Sequence, residues 1–324
     1  MKNQSRSNMF FKNITVFNLK QTIDPTTLDA ALSQFSFKPC GNLQASSNGW
    51  VHPLVKDHET LCHHSNHFHL LCLKTEEKIL PAQVINEHTA DKVAEIETLQ
   101  NTTVGKHEKT AIKEDIAHQL LSKAFSRNKT TYAYLDTLNH YLVIDATADK
   151  AIDDITMLLR KSLGSLKIEP LLENISGVIT HWFKHGTAPQ DIVIEDKCKL
   201  ITDQGDGVAT ITCQGNTMLS DNIIAFIDSG GVIAELAIAW RDQLSMTMND
   251  RFQFKSIKFL EGIKNLNAEL SKADPLVKAE ADFLLMAESF ADFIRSMYEF
   301  CNHSEKETVD LFEGSQSEEK TPCL

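Results

Sequence analysis

The chain has 324 residues, 42% hydrophobic and 23% charged, a composition that describes a soluble globular protein of two or three compact units. No run approaches eighteen consecutive apolar residues, and the N-terminal stretch lacks the apolar segment and cleavage site of a signal peptide, so a cytoplasmic location is expected. The formal net charge of -12, from 32 Lys and Arg against 44 Asp and Glu, by itself argues against a polyanionic partner.

From the N-terminus, Phe10 to Leu19 alternates enough to predict a strand, and Asp24-Pro25 opens a helix with Leu28, Leu32 and Phe35 on one face. The stretch from Cys40-Gly41 through Gly49-Trp50 reads as loop and His67 to Leu73 as a second strand. Beyond Leu80-Pro81, Val84, Ile85, Val93, Ile96 and Leu99 keep helical spacing. Gly105 and its neighbours break it, and Ile112, Ile116 and Leu120 resume it. This pattern predicts a polar helical hairpin projecting from its domain.

Two apolar runs between Thr131 and Ala146 flank a hairpin turn at Thr137 to His140. Ile152, Ile155, Leu159 and Leu163 then mark a helix closed by Gly164. A third region begins near Leu172, with a turn at Asp206-Gly207, a short helix from Ser220-Asp221 to Gly230-Gly231, and a strand in which Val232, Ala234, Leu236, Ile238 and Trp240 share one face. A hairpin at Asn249-Asp250 leads to Phe252 and Phe254, and the closing helix carries Phe283, Met286, Phe290, Phe293 and Met297 in one stripe. Strands and helices without a βαβ rhythm indicate an α+β fold with mixed or antiparallel sheets. The expected organisation is a central domain of residues 1-80 and 122-171, a hairpin tip of 81-121, a base domain of 172-300 and an acidic disordered tail of 301-324.

The seven cysteines are odd in number, scattered and without a CxxC pair, as expected of reduced thiols. The run from Cys62 to Cys72 contains His63, His64, His67 and His69, residue types that zinc prefers. On an extended strand His67 and His69 share a face while Cys72 points away, so a His-rich loop entering a strand outweighs a metal site. A metal-dependent hydrolase using the His63 to His69 cluster is the alternative function. There is no GxxxxGK(S/T) phosphate loop, GxSxG elbow, HExxH or GxGxxG, and no set of residues assembles a catalytic centre. Neither a cofactor nor a catalytic residue is expected.

Charge distribution reopens the question that net charge closes. Ile116 to Leu135 holds Lys123, Arg127 and Lys129 with no acid, Ile155 to Ile168 holds Arg160, Lys161 and Lys167 with none, and Arg251, Lys255 and Lys258 form a third cluster. Within the first, Phe125 could stack on or wedge between bases while the cations contact phosphates. By helical spacing alone, Phe125 continues the stripe of Leu121 and belongs to the core.

Several segments together resemble the RdgC family of bacterial recombination-associated proteins. They are Phe11-Lys12-Asn13, Phe37-Lys38-Pro39-Cys40-Gly41 with Gly49-Trp50-Val51, Glu76-Glu77-Lys78-Ile79-Leu80-Pro81, Ala124-Phe125-Ser126-Arg127, Leu158 to Leu166, and Ala281-Asp282-Phe283. The resemblance runs from about residue 9 to 300. It implies a homodimeric ring that encircles double-stranded DNA without sequence preference, a nucleoid-associated protein that restrains the RecA recombinase by competing for duplex. It further implies that Phe125 is the aromatic at the tip of the helical hairpin, with Arg127 and Lys123 as neighbouring DNA-binding cations; the acid-free stretch itself adds Lys129 as a candidate DNA contact. The stretch Cys213 to Ser220 corresponds to a more basic family loop; lacking Lys and Arg here, it leaves Gln214 and Asn216 as its candidate DNA contacts.

Overall fold

The computed structural model describes residues 9–55, 59–203, 207–215, 220–260 and 274–314, with side chains described for all of these except 203 and 302–314. In chain order the elements are β1 (Ile14–Leu19), α1 (Pro25–Ser33), β2 (Ser46–Val51), β3 (Cys62–Ser65), β4 (Phe68–Lys78), α2 (Ala82–Gln100), α3 (Lys106–Leu121), β5 (Ser126–Asp136), β6 (Tyr141–Ile144) and α4 (Asp149–Leu163). There follow β7 (Ile168–Pro170), α5 (Ser176–His185), β8 (Ile192–Asp203), β9 (Val208–Gln214), α6 (Asp221–Asp228), β10 (Val232–Trp240), β11 (Leu244–Asn249), β12 (Gln253–Phe259) and α7 (Pro275–Gly314).

Local chemistry sets the ends of these elements. Asp24 caps α1 by accepting from the Thr26 amide at 2.9 Å, and Pro25 occupies the first turn, where its missing N–H costs nothing. Asn66, with φ 54, makes the tight turn between β3 and β4, and Gly164 closes α4 in the left-handed conformation. Asp136 holds the β5–β6 turn by accepting from the Leu138 and Asn139 amides.

The strands form one sheet of twelve, in the order β2-β4-β5-β6-β1-β12-β11-β10-β8-β9, with β3 added to β4 and β7 to β1. Their pairings are antiparallel, in keeping with an α+β fold. Alternation along β4 and β5 sends Phe68, Leu70, Cys72, Tyr132 and Tyr134 into a core shared with α5, α6 and α7. Leu71, Leu73, Ala133 and Leu135 go to a second core under α1 and α4. Phe283, Met286, Phe290, Phe293 and Met297 are all fully or almost fully buried, as their stripe predicts.

Segments far apart in the sequence meet at structural seams. The short β1–β12 pairing, Thr15 opposite Gln253, joins the two halves of the sheet, and Gln253 Nε2 donates to Thr15 Oγ1 at 3.2 Å. The Trp50 indole donates to Ser162 Oγ of α4 at 2.9 Å. Phe283 stacks edge-on against Phe68 and Tyr134, tying α7 to β4 and β5.

Four expectations are corrected. Residues 46–51 are the edge strand β2 rather than loop; the polar Ser46, Ser47 and Asn48 hide the period, because only Gly49 and Trp50 of this strand are buried. In β10, Ile233 joins Leu236, Ile238 and Trp240 in the core in place of Val232 and Ala234, since register shifts at Ile233/Glu235 and Leu236/Ile238 break strict alternation. His67 lies in the β3–β4 turn, and the strand begins at Phe68. α7 runs to Gly314, past residue 300, where the sequence reading ends the folded part; Asp206 of the predicted turn lies outside the described residues.

Candidate nucleic-acid interface

β4 and β5 pair along their whole lengths, from Phe68 opposite Asp136 to Lys78 opposite Ser126. Their two ends differ. Residues 131–136 of β5 are buried, whereas 126–130 are exposed, so Ser126, Arg127, Asn128, Lys129 and Thr130 form a ribbon that runs out beyond the cores. β4 pairs with this ribbon, β2 lies on the far side of β4, and the α2–α3 hairpin joins the ribbon's outer end. The hairpin itself buries few side chains, chiefly Val93, Val104, Ile116 and Leu121, consistent with a polar projection.

Phe125 sits where α3 returns to the ribbon. Its carbonyl accepts from the Ile79 amide at 2.7 Å, continuing the ladder by one residue, and the Ala124 carbonyl receives Lys78 Nζ at 3.4 Å. With the backbone so held, the ring projects outward and is 86% exposed, more than any other exposed large hydrophobic of the described residues. The core reading of Phe125 therefore fails: α3 ends at Leu121, and the break before β5 turns the ring off the helical stripe. Its position also differs from the expected one. Phe125 stands at the foot of the hairpin, whereas the turn between the two helices is at residues 101–105.

Lys123, Arg127 and Lys129, all within four residues of Phe125, are exposed. Arg127 Nη2 donates to Glu77 Oε2 at 2.9 Å, and Lys150 Nζ of α4 donates to Glu77 Oε1 at 2.7 Å. These two cations, Lys150 first, hold the Glu77 carboxyl down at about 2, so it stays ionised throughout the neutral range. The neighbouring Glu76 carboxyl is also lowered, by the Ser126 hydroxyl and by the Cys40 amide, which donates to it at 2.9 Å. The ammonium of Lys74 lies 4.1 Å from the centre of the Phe37 ring, a cation–π contact that fixes the Phe37 segment beside the ribbon. Lys74 and Lys78 thus lie near Glu76, Arg127 and Lys150 engage Glu77, and Lys129 stands opposite Thr75 in the same ladder, so basic side chains line this end of β4 and β5.

The sequence reading missed Glu77, Lys150, Lys74 and Lys78 as parts of this site. Glu76-Glu77-Lys78 was visible as a segment, but nothing in the sequence brings Lys150 to Glu77, 73 residues away. Gln214 is exposed at the end of β9, on the opposite edge of the sheet. Seven strand spacings separate β5 from β9, on the order of 30 Å, so the structure does not bring Gln214 to the Phe125 group. Asn216 lies outside the described residues. Arg251 and Lys255 are engaged with Asp149 and Glu235, while Arg160, Lys161 and Lys167 are exposed on and after α4.

The histidines pair with one another and with neighbouring carboxylates. His64 Nδ1 and His69 Nδ1 are 2.8 Å apart, His64 Nε2 is 3.2 Å from Asp29 Oδ2 of α1, and His69 Nε2 is 3.5 Å from Thr137 Oγ1. His67 turns instead toward Asp136, at 3.8 Å, and His63 toward Glu280, at 3.7 Å. Burial, with His64 and His67 nearby, pushes the His69 imidazole down to about 4, and burial likewise lowers His63. Among the described residues no group of three or more His, Cys, Asp or Glu side chains is placed to hold a metal ion.

The family model that matches this chain covers residues 9–303 and is described as "Putative exonuclease, RdgC". A protein of Yersinia pestis (strain Pestoides F) is 34% identical over 295 residues, covering 90% of this chain and 97% of the relative. A protein of Serratia proteamaculans (strain 568) is 33% identical with the same coverage of both chains. Both are named "Recombination-associated protein RdgC".

Proposed function

Because the chain belongs to the RdgC family, we propose that it acts in recombination as a non-enzymatic, double-stranded DNA-binding protein. It closes as a homodimeric ring around duplex of any sequence and competes with the RecA recombinase for that duplex. The names of its relatives support the recombination role. The observation that carries the DNA contact is the exposed Phe125 ring, fixed by its backbone, with the exposed Lys123, Arg127 and Lys129 close to it in the chain. An aromatic on a basic ribbon offers a stacking or wedging surface together with phosphate contacts, and neither depends on base identity. With a Debye length near 8 Å at physiological salt, such a patch attracts phosphates even though the whole chain is acidic.

A two-fold dimer supplies two such ribbons. Four cations, Lys123 and Lys129 from each protomer with Arg127 engaged by Glu77, predict a slope of about -4 for log affinity against log salt, at roughly 0.9 per phosphate neutralised. Fluorescence anisotropy with unrelated duplexes at several salt concentrations measures it. A slope near zero, or affinity confined to one sequence, overturns the reading. The family description also names an exonuclease, so end-labelled duplex incubated with magnesium or manganese completes the test. Intact label is the expected result, and progressive loss that follows the protein through purification overturns the non-enzymatic part.

Gln214, at the other edge of the sheet, belongs in this reading to a separate contact along the duplex. Among the described residues no helix is long and apolar enough to cross a membrane. The proposed location is the cytoplasm, with the protein on the nucleoid.

A further inference from the structure

Cys198 of β8 and Cys213 of β9 stand directly opposite each other in the antiparallel ladder. Directly opposed residues of such a ladder have Cα atoms about 4.5 or 5.5 Å apart, and both values fall within the roughly 4.4–6.8 Å that a disulfide spans. Both thiols are free and both point into the core shared with α6, the Cys198 thiol hydrogen-bonding with that of Cys213. Their surroundings differ. Cys198 is on an inner strand, paired on both sides, while β9 is the last strand of the sheet. Along β9 only Cys213 is buried, and Val208, Ala209, Thr210, Thr212 and Gln214 are exposed. An edge strand held by one buried side chain and the partly buried Ile211 opens more readily than the inner strands.

We propose that Cys198 and Cys213 are a reversible disulfide site that fastens edge strand β9 to β8 when the protein meets a small-molecule disulfide. When β9 opens, the Cys213 thiolate attacks one sulfur of the oxidant, forming a mixed disulfide and releasing one small thiolate. On reclosure Cys198 loses its proton to that thiolate and attacks the Cys213 sulfur, and the second small group leaves as a thiolate that takes up the proton Cys213 gave to water. Two protein thiols and one small disulfide thus become one protein disulfide and two small thiols. Burial pushes the Cys198 thiol up to about 12 in the closed strand, which makes the reaction slow and dependent on opening. A reducing cytoplasm keeps the pair open, so the bond forms under sustained oxidative load.

The full-length protein is incubated with oxidised glutathione, then alkylated, digested and mapped by mass spectrometry. The expected product is a peptide pair linked through Cys198 and Cys213, two hydrogens lighter than the reduced peptides and restored by a reducing agent. In Cys198→Ala the glutathione adduct on Cys213 accumulates, because nothing displaces it. Amides of residues 208–214 exchange on the order of a hundredfold more slowly in the oxidised wild type, the effect of closing a loop of this length. The proposal is overturned if the wild type keeps a stable glutathione adduct on Cys213, if both cysteines stay reduced while Cys40 reacts, or if the linked form shows unchanged exchange in β9.

Discussion

Arg127 of β5 and Glu77 of β4 are ladder partners, and the guanidinium donates to the carboxylate at 2.9 Å. Glu77 also receives Lys150 of α4, so one acid engages Arg127, a cation that the proposed interface offers to phosphates, together with the neighbouring Lys150. A duplex must compete with Glu77 for Arg127. Glu77→Gln is therefore expected to tighten binding severalfold at low salt and to steepen the salt slope by about one for each cation released to a phosphate. Since the carboxyl is held at about 2, the effect persists unchanged from mildly acidic to basic pH. Anisotropy titrations of the two proteins, run side by side at several salt concentrations, check it; equal or weaker binding by the variant contradicts it.

Phe125→Ala separates a binding role from a packing role. The ring is 86% exposed, so its removal is expected to leave the melting transition within about 0.5 kcal/mol of wild type. Loss of one base-stacking or wedging contact costs about 1–3 kcal/mol, a fall in DNA affinity of roughly 5- to 150-fold. Calorimetry and anisotropy on one preparation read both quantities, and sedimentation shows whether ring closure weakens as well. A lowered melting temperature with unchanged affinity assigns Phe125 to the core instead.

Local rules account for most of the chain. The Asp24-Pro25 start of α1, the α2–α3 hairpin and the apolar stripe of α7 follow from caps and a 3.6-residue period that the sequence carries by itself. What it does not carry is the effect of neighbours. β2 looks like loop because its outer end is exposed and only a paired strand reveals its register, and β10 loses its simple alternation to two register shifts that no single-strand pattern encodes. Phe125 is the instructive case at the site. Periodicity extends the helix through it, but the ladder between Ile79 and Phe125 claims its backbone and turns the ring outward. Likewise the Glu77 contact with Lys150 depends on α4 packing beside β4, a tertiary fact.

His69 predicts how the fold responds to acid. Its imidazole is buried beside His64 and is held at about 4, below the ordinary 6.5 that the unfolded chain keeps. The unfolded state therefore takes up the proton first as pH falls. Stability is intact above pH 6.5 and declines as pH falls from there toward 4, by an amount that reaches about 3 kcal/mol. His69→Gln, which carries no titrating ring, is expected to lose part of its stability at pH 7 but to show a flatter dependence between pH 4 and 6.5. Urea unfolding at a series of pH values tests this, and parallel curves for the two proteins would remove His69 as the source.

Gly49 tests whether one of the family-like segments is maintained by packing rather than by DNA. A Cβ at Gly49 would lie 2.4 Å from Phe37 Cα and 2.5 Å from Phe37 N. The Phe37 backbone cannot step aside, because its amide donates to the Trp50 carbonyl at 2.9 Å and Trp50 donates in turn to the Phe35 carbonyl. Those bonds hold the 35–37 segment along β2, and the Trp50 indole is anchored to Ser162 below. Gly49→Ala must push the segment off the strand, losing buried backbone hydrogen bonds worth about 1 kcal/mol each and the packing above Trp50. A loss of roughly 3 kcal/mol or more is expected, read as a lowered urea midpoint. Because Phe125 and its cations are anchored through β4 and β5 instead, the variant is expected to bind DNA normally at temperatures where it remains folded; a selective loss of binding without loss of stability would place Gly49 in the interface.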